Sequence, residues 1–67
     1  MDMRKVLRDW TSLNDALREA DEKDTNDMLK AELKGQRRKQ FCLRIHSRMN
    51  KMRAARERAE IRAKLDD

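Results

Sequence analysis

The chain has 67 residues, of which 46% are charged and 37% hydrophobic, and its formal net charge is +5. A chain of this length buries only about 60% of the surface that its unfolded form exposes, so we expect one domain, residues 1–67, with a thin core. Its single cysteine, Cys42, excludes an internal disulfide, and Cys42 with His46 does not supply a closed zinc site, which leaves self-association as the expected means of stabilisation.

The first predicted element is an amphipathic helix over about residues 3–20. Its apolar residues recur at spacings of three and four, as on one face of a helix. They are Met3, Val6, Trp10, Leu13, Leu17 and Ala20. Trp10 lies in the middle of this face, so we expect it to anchor the core.

A short helix is predicted next, over about residues 25–34. Asp24 or Thr25 can cap its first N–H groups. Its apolar residues are Met28, Leu29 and Leu33. Gly35 follows, as a residue that ends a helix in the left-handed conformation would. Whether this helix is separate from the first or continues it through residues 21–24 stays open.

The third predicted helix runs from about residue 36 to 65, without Gly or Pro, and spans roughly 45 Å. One face carries apolar residues that we interpret as the antiparallel partner of the first helix. They are Phe41, Ile45, Met49, Met52, Ala59 and Ala63. The sequence thus predicts an all-α fold, a helical hairpin with a short intervening helix and a long basic C-terminal helix, dimerising into a helical bundle.

Basic charge is concentrated on the third helix. Residues 36–65 carry eleven Lys or Arg and two Glu, whereas residues 1–35 carry seven bases and nine acids. Six cations share one side of the helix without an acid among them: Arg37, Arg44, Arg48, Lys51, Arg58 and Arg62. A solvated face is one interpretation, but a merely soluble helix intersperses both signs. The other interpretation is a surface that binds an anion.

A second apolar patch is predicted on the far side of the same helix. Its members are Leu43, Ala54, Ile61 and Leu65. Single exposed apolar residues are normal, so this alignment is either chance or a contact with a second copy or a target protein. The thin core favours the contact, with a homodimer as the expected assembly.

These features favour a binding protein over an enzyme, because the sequence lacks a phosphate loop, a nucleophile elbow and any zinc-ligand pair. We expect no cofactor, no metal, no small-molecule substrate and no membrane partner. The favoured function is nucleic-acid binding through phosphates without strong sequence specificity. The alternative is a protein-binding module or inhibitor that docks the basic helix on an acidic protein surface. The absence of a long apolar run predicts a cytoplasmic protein.

Residues 35–61 read GQRRKQFCLRIHSRMNKMRAARERAEI, and a short acidic helix and a Trp-bearing amphipathic helix precede them. Over residues 28–61 the chain resembles the small helical proteins encoded in bacteriophage genomes. The resemblance implies a short accessory protein that binds DNA, or that binds and inhibits a host protein, in the cytoplasm of a bacterium. It implies no role for any single residue.

Overall fold

The computed structural model describes residues 2–66, which form an all-helical fold with a long C-terminal helix, as predicted. The helices of this range are α1 (Met3–Val6), α2 (Trp10–Glu19), α3 (Glu22–Lys34) and α4 (Lys39–Asp66). The principal extents are 46 × 18 × 16 Å. The longest matches α4 itself, since 28 residues of α-helix span about 42 Å.

The prediction of one helix over residues 3–20 is wrong, because the chain breaks between α1 and α2. Asp9 is extended, with φ −151°, and its carboxylate accepts a hydrogen bond of 2.8 Å from the backbone N–H of Ser12. A side-chain cap of this kind starts a new helix and stabilises it. The apolar spacing hid the break, since Met3 and Val6 still pack against the core.

The second predicted helix is separate from the first and begins earlier than expected. Asp21, rather than Asp24 or Thr25, is the N-cap of α3, and its carboxylate accepts a hydrogen bond of 2.7 Å from the backbone N–H of Asp24. Thr25 is buried inside α3, where its hydroxyl donates to the carbonyl of Asp21 at 2.7 Å. With 13 residues, α3 is longer than α2.

The antiparallel partner of α4 is α3, and not the first predicted helix. Glu32 meets Arg38 at the end of the pair near the connection, and Glu22 meets Arg56 at the other end, with N–O distances of 2.6 and 2.8 Å. The pattern of apolar residues could not reveal this pairing, because the buried face of α3 includes the polar Thr25 and the charged Glu32.

The core is small, and α2, α3 and α4 all contribute to it. Its buried apolar residues are Leu13, Leu17, Ala20, Met28, Phe41 and Ile45. Trp10 is 45% exposed, so the expectation that it anchors the core is wrong. It covers Phe41 edge to face, with 5.6 Å between the ring centroids. Phe41, 7% exposed, is the buried member of this aromatic pair.

A buried ion pair joins three parts of the fold. Glu32 is 1% exposed, and both its carboxylate oxygens accept hydrogen bonds from Arg38. Arg38 also donates to the carbonyl of Leu7 at 2.6 Å, and its guanidinium carbon lies 3.5 Å from the centroid of the Phe41 ring. This pair therefore ties the segment after α1 to α3 and α4. Sequence reasoning had given Arg38 no structural role.

The connection between α3 and α4 differs from its predicted form. Gly35 has φ −98°, so it is not the left-handed residue; Arg37 is, with φ 53°. The backbone N–H of Arg37 donates to the carbonyl of Glu32 at 2.8 Å, and its side-chain Nε donates to the carbonyl of Leu33 at 2.8 Å. These bonds satisfy carbonyl groups in the last turn of α3, whose C-cap is Gly35. Arg37 precedes α4, which begins at Lys39 rather than at residue 36.

The last part of α4 extends beyond the other helices. Every residue from 53 to 66, here called the distal segment, is exposed, whereas residues 2–52, the packed region, contain all the buried residues of the described chain. Ala59 and Ala63, predicted to face the core, lie in the distal segment and are exposed. None of the helices described over residues 2–66 combines the length and apolarity needed to cross a membrane.

Candidate functional site

Five of the six predicted cations lie along one side of α4. This cationic stripe consists of Arg44, Arg48, Lys51, Arg58 and Arg62. Their spacings of four, three, seven and four residues keep them on one side of a helix over about 27 Å. Arg37, the sixth, is set apart from the stripe, because it lies in the connection before α4.

Helix α2 adds a second wall to the first half of the stripe. A groove of about 190 Å³ lies between α2 and α4. This cationic groove is lined by Asn14, Leu17, Arg18, Arg44, Arg48 and Lys51. Four of its six lining residues are cations, and none is an acid. The structure thus brings Arg18, from the N-terminal half, to the stripe.

Asn14 orients one of these cations. Its side-chain oxygen accepts a hydrogen bond of 2.7 Å from Arg44 Nε, and its amide nitrogen donates to the carbonyl of Trp10 at 2.9 Å. The second bond fixes the orientation of the amide, which therefore presents its oxygen to Arg44. A fixed guanidinium loses less conformational entropy when it binds an anion.

Arg48 has an unpaired donor in the same groove. Its Nε is buried from solvent and has no hydrogen-bond partner within residues 2–66. Buried polar atoms of proteins are nearly always hydrogen-bonded, and an unpaired one calls for an explanation. An oxyanion in the groove would supply the acceptor.

The stripe carries charge that the described chain does not neutralise. Ion pairs among residues 2–66 engage the cations Arg8, Arg18, Lys23, Arg38 and Arg56, and no residue of the stripe. Arg18 meets Asp15 at 3.8 Å, with both side chains largely exposed. A pair of this length and exposure adds little. Arg18 therefore remains available to a ligand.

Arg56, on another side of the distal segment, is paired with acidic residues, unlike the cations of the stripe. It bonds Glu22 at 2.8 Å and Glu60 at 3.1 Å. The hydrogen bond that Arg56 donates to Glu22, then the one that it donates to Glu60, raise the pKa of Arg56. The distal segment thus has one side where charge is paired and another, with Arg58 and Arg62, where it is not.

The predicted apolar patch is exposed. Leu43, Ile61 and Leu65 are 58%, 56% and 78% exposed, and Ala54 is exposed as well. By helical geometry they lie on the side of α4 that faces away from Phe41 and the core, next to the cationic stripe. None of them lines the cationic groove.

Sequence reasoning missed the two residues that α2 contributes. Asn14 and Arg18 are four residues apart, so they share one face of α2. That spacing was visible in the sequence, but their partner was not, because it depends on how α2 packs beside α4. The residues that α2 contributes to the groove could be identified only from the structure.

Comparisons with models of protein families, with curated protein sequences and with solved structures found no match to this chain. A function is therefore argued from the chemistry of the site. That chemistry is a row of unneutralised cations with a groove at one end.

Proposed function

We propose that this protein is a non-enzymatic nucleic-acid-binding protein that contacts phosphates through the cationic stripe, without strong sequence specificity. The observation that carries the proposal is the absence of any acidic partner for the five stripe residues within residues 2–66. Four of the five are Arg, whose planar guanidinium suits bidentate contact with phosphate. A nucleic acid offers such groups in a row, as the stripe offers cations.

The exposed distal segment supports this proposal sterically. The segment is exposed over 14 residues, about 21 Å, and its ion pair with α3, Arg56 with Glu22, lies on a different side from Arg58 and Arg62. That side of the helix can therefore lie against a duplex without interference from the packed region. The major groove of DNA is wide enough to admit an α-helix. Each phosphate contact by a cation should steepen the salt dependence of binding, by about 0.9 in the slope of log K against log salt.

The test compares two double variants of the distal segment. Arg58→Glu with Arg62→Glu reverses two stripe residues, and Arg53→Glu with Lys64→Glu reverses two cations on another side of α4. Both pairs change the net charge equally. We expect the stripe variant to bind a generic duplex at least tenfold more weakly and to reduce the salt slope by about 2, while the control variant keeps the slope.

Titrations of each variant with the duplex at several salt concentrations measure the affinity and the salt slope, and circular dichroism checks that each variant remains helical. Equal losses in both variants would show that total charge matters and the stripe does not. Absence of binding by the unmodified protein, even at low salt, would contradict the proposal outright.

Reversal of Arg44, Arg48 and Lys51 to Glu should abolish binding as well. Arg44 and Arg48 are partly buried, however, and Arg44 bonds Asn14. The triple variant therefore needs a thermal unfolding control, because it alters packing as well as charge. Arg58 and Arg62 are the cleaner test.

A second candidate function is supported by the exposed apolar patch beside the stripe. A protein-binding module, or an inhibitor, could dock the cations on an acidic protein surface and use the apolar residues as anchors. This is also what the resemblance to phage-encoded accessory proteins implies, together with a cytoplasmic site of action. Ile61→Ser with Leu65→Ser tests this, at a protein concentration where the unmodified protein is monomeric: duplex binding should stay within twofold if phosphates alone are contacted, and a larger loss would show that the apolar residues contribute to binding.

We also propose that two copies associate through Leu43, Ala54, Ile61 and Leu65. The thin core and the exposure of three large apolar side chains on one side of α4 support this dimer. Sedimentation equilibrium should find a dimer, and Ile61→Glu with Leu65→Glu should give a monomer. An unmodified protein that remains monomeric at high concentration would contradict this proposal.

A further inference from the structure

We propose that the cationic groove is a seat for one phosphate group, and that Arg48 is one of the residues that bind it. The inference rests on the proposed function, because the phosphate in question belongs to the backbone of the bound nucleic acid. It divides the stripe into two parts with different roles. The groove holds one phosphate in a fixed geometry, while Arg58 and Arg62 attract further phosphates through charge alone.

The lining of the groove supports an anion as the ligand. Arg18 comes from α2, and Arg44, Arg48 and Lys51 come from α4, so two helices bring four positive charges to one cavity. Like charges held in one cavity repel one another, and their attraction to a bound anion would offset that repulsion. No acidic residue of the described chain lines the cavity, so none offsets this repulsion.

The unpaired donor of a lining residue also supports an anion as the ligand. Arg48 Nε is buried and lacks an acceptor within residues 2–66, so a phosphate oxygen in the groove would complete its hydrogen bonding. Hydrogen bonds between a charged donor and a charged acceptor are about twice as strong as neutral ones. Because Nε has no accessible surface, the Arg48 side chain has to shift for a phosphate to reach it.

The size of the groove limits the ligand. Pockets that enclose small molecules are typically about 300 Å³ or larger. The groove, at about 190 Å³, is smaller, and therefore fits one phosphate group better than a whole nucleotide. Leu17 adds apolar surface to the lining.

The two parts of the stripe differ in preorganisation. Arg44 is held by Asn14, whose own amide is fixed by the carbonyl of Trp10. Arg58 and Arg62 lie on the exposed distal segment, where no other helix of residues 2–66 holds them in the same way. A substitution that conserves charge should therefore weaken duplex binding when it is made in the groove, and change it little when it is made on the distal segment.

The first experiment compares Arg48→Lys with Arg58→Lys. Each keeps the positive charge and removes the Nε donor and the planar fork. We expect Arg48→Lys to weaken duplex binding about tenfold and Arg58→Lys to change it less than twofold. If charge alone governed binding, both variants would bind like the unmodified protein.

Arg18 provides a second variant that does not depend on the folding of a partly buried side chain. It is exposed and lies off α4. We expect Arg18→Gln to weaken duplex binding severalfold, and the matched Arg4→Gln, which removes an exposed cation from α1, to leave it within twofold. Equal effects of these two variants would overturn the inference.

The third measurement follows the Arg Nε–H signals by NMR while inorganic phosphate is added, with chloride at equal ionic strength as the control. We expect the Arg48 signal to shift saturably with phosphate, and those of Arg58 and Arg62 to shift in proportion to ionic strength in both salts. Equal responses of all three signals would overturn the phosphate seat.

The two proposals fail in different ways. Salt-dependent duplex binding that Arg58→Glu with Arg62→Glu weakens, but Arg48→Lys does not, would leave the proposed function standing and remove the seat. Saturable binding of inorganic phosphate at Arg48 without any duplex binding would overturn the proposed function and support a seat for a free phosphate group.

Discussion

The two halves of α4 form one continuous helix, but different interactions stabilise them. Residues 39–52 bury Phe41 and Ile45 against α2 and α3 and belong to the packed region. Residues 53–66, the distal segment, bury nothing. Their one ion pair to another helix is Arg56 with Glu22, at 2.8 Å.

The composition of the distal segment explains how it remains helical. Its 14 residues include four Ala, four Arg and two Glu, which are among the strongest helix formers. Starting a helix is the unfavourable step, and extension of an existing one is easier. The packed half therefore supplies the nucleus, and intrinsic propensity supplies the rest. Residues of high intrinsic helix propensity therefore stabilise the half of α4 that packs against no core.

The largest expected effect comes from the buried ion pair of the packed region. Glu32→Gln leaves the Arg38 charge without its partner, and breaking a buried pair typically costs about 3 to 5 kcal/mol. The same substitution at Glu60, which is exposed in the distal segment, should change the free energy of unfolding by less than about 0.5 kcal/mol. Urea denaturation of both variants measures the difference. Similar values would contradict the division into two regions.

A pair of isoleucines on α4 tests the same comparison for apolar contacts. Ile45 is fully buried and Ile61 is 56% exposed. Ile45→Ala should cost about 2 to 5 kcal/mol of unfolding free energy, and Ile61→Ala within about 0.5 kcal/mol in the monomer. If Ile61→Ala lowered the unfolding free energy as much as Ile45→Ala at high protein concentration, but not at low concentration, the loss would arise from the association of two copies.

A glycine in the distal segment tests the role of propensity. Ala59→Gly should cost about 1 kcal/mol of local helix stability, because glycine is the weaker helix former by that amount. Amide hydrogen exchange should therefore accelerate around residue 59 and remain unchanged in α2 and α3. Acceleration throughout the packed region would show that the two halves unfold together.

The smallest expected effect concerns the cap of α2. The backbone N–H of Ser12, then its hydroxyl, hold the pKa of Asp9 below its ordinary value of 3.8. A lowered pKa in the folded state stabilises the fold above the unfolded pKa, and this contribution is lost as the pH falls through the lowered value. Asn caps helices equally well and does not titrate. Thermal unfolding should therefore show that the unmodified protein loses stability relative to Asp9→Asn progressively as the pH falls through 3.8 and below it.

Helix identity could be read from this sequence, because apolar residues recur at helical spacing over α2 and because residues 36–65 contain no Gly or Pro. The break at Asp9 could not, because the same periodicity continues across it. Nor could the pairing of α3 with α4, since buried Glu32 and Thr25 interrupt the apolar pattern. Charge segregation revealed the stripe, whereas the groove depended on Arg18 and Asn14, which reach it only through packing.

The length of α4 is a variable that the fold does not constrain. Seven additional residues beyond Glu60 would lengthen the helix by about 10.5 Å and return the next residues to nearly the same side. Nothing in the packed region would have to change. A chain lengthened by whole heptads would therefore keep this core and present a longer exposed helix, so the reach of α4 is separable from the stability of the fold.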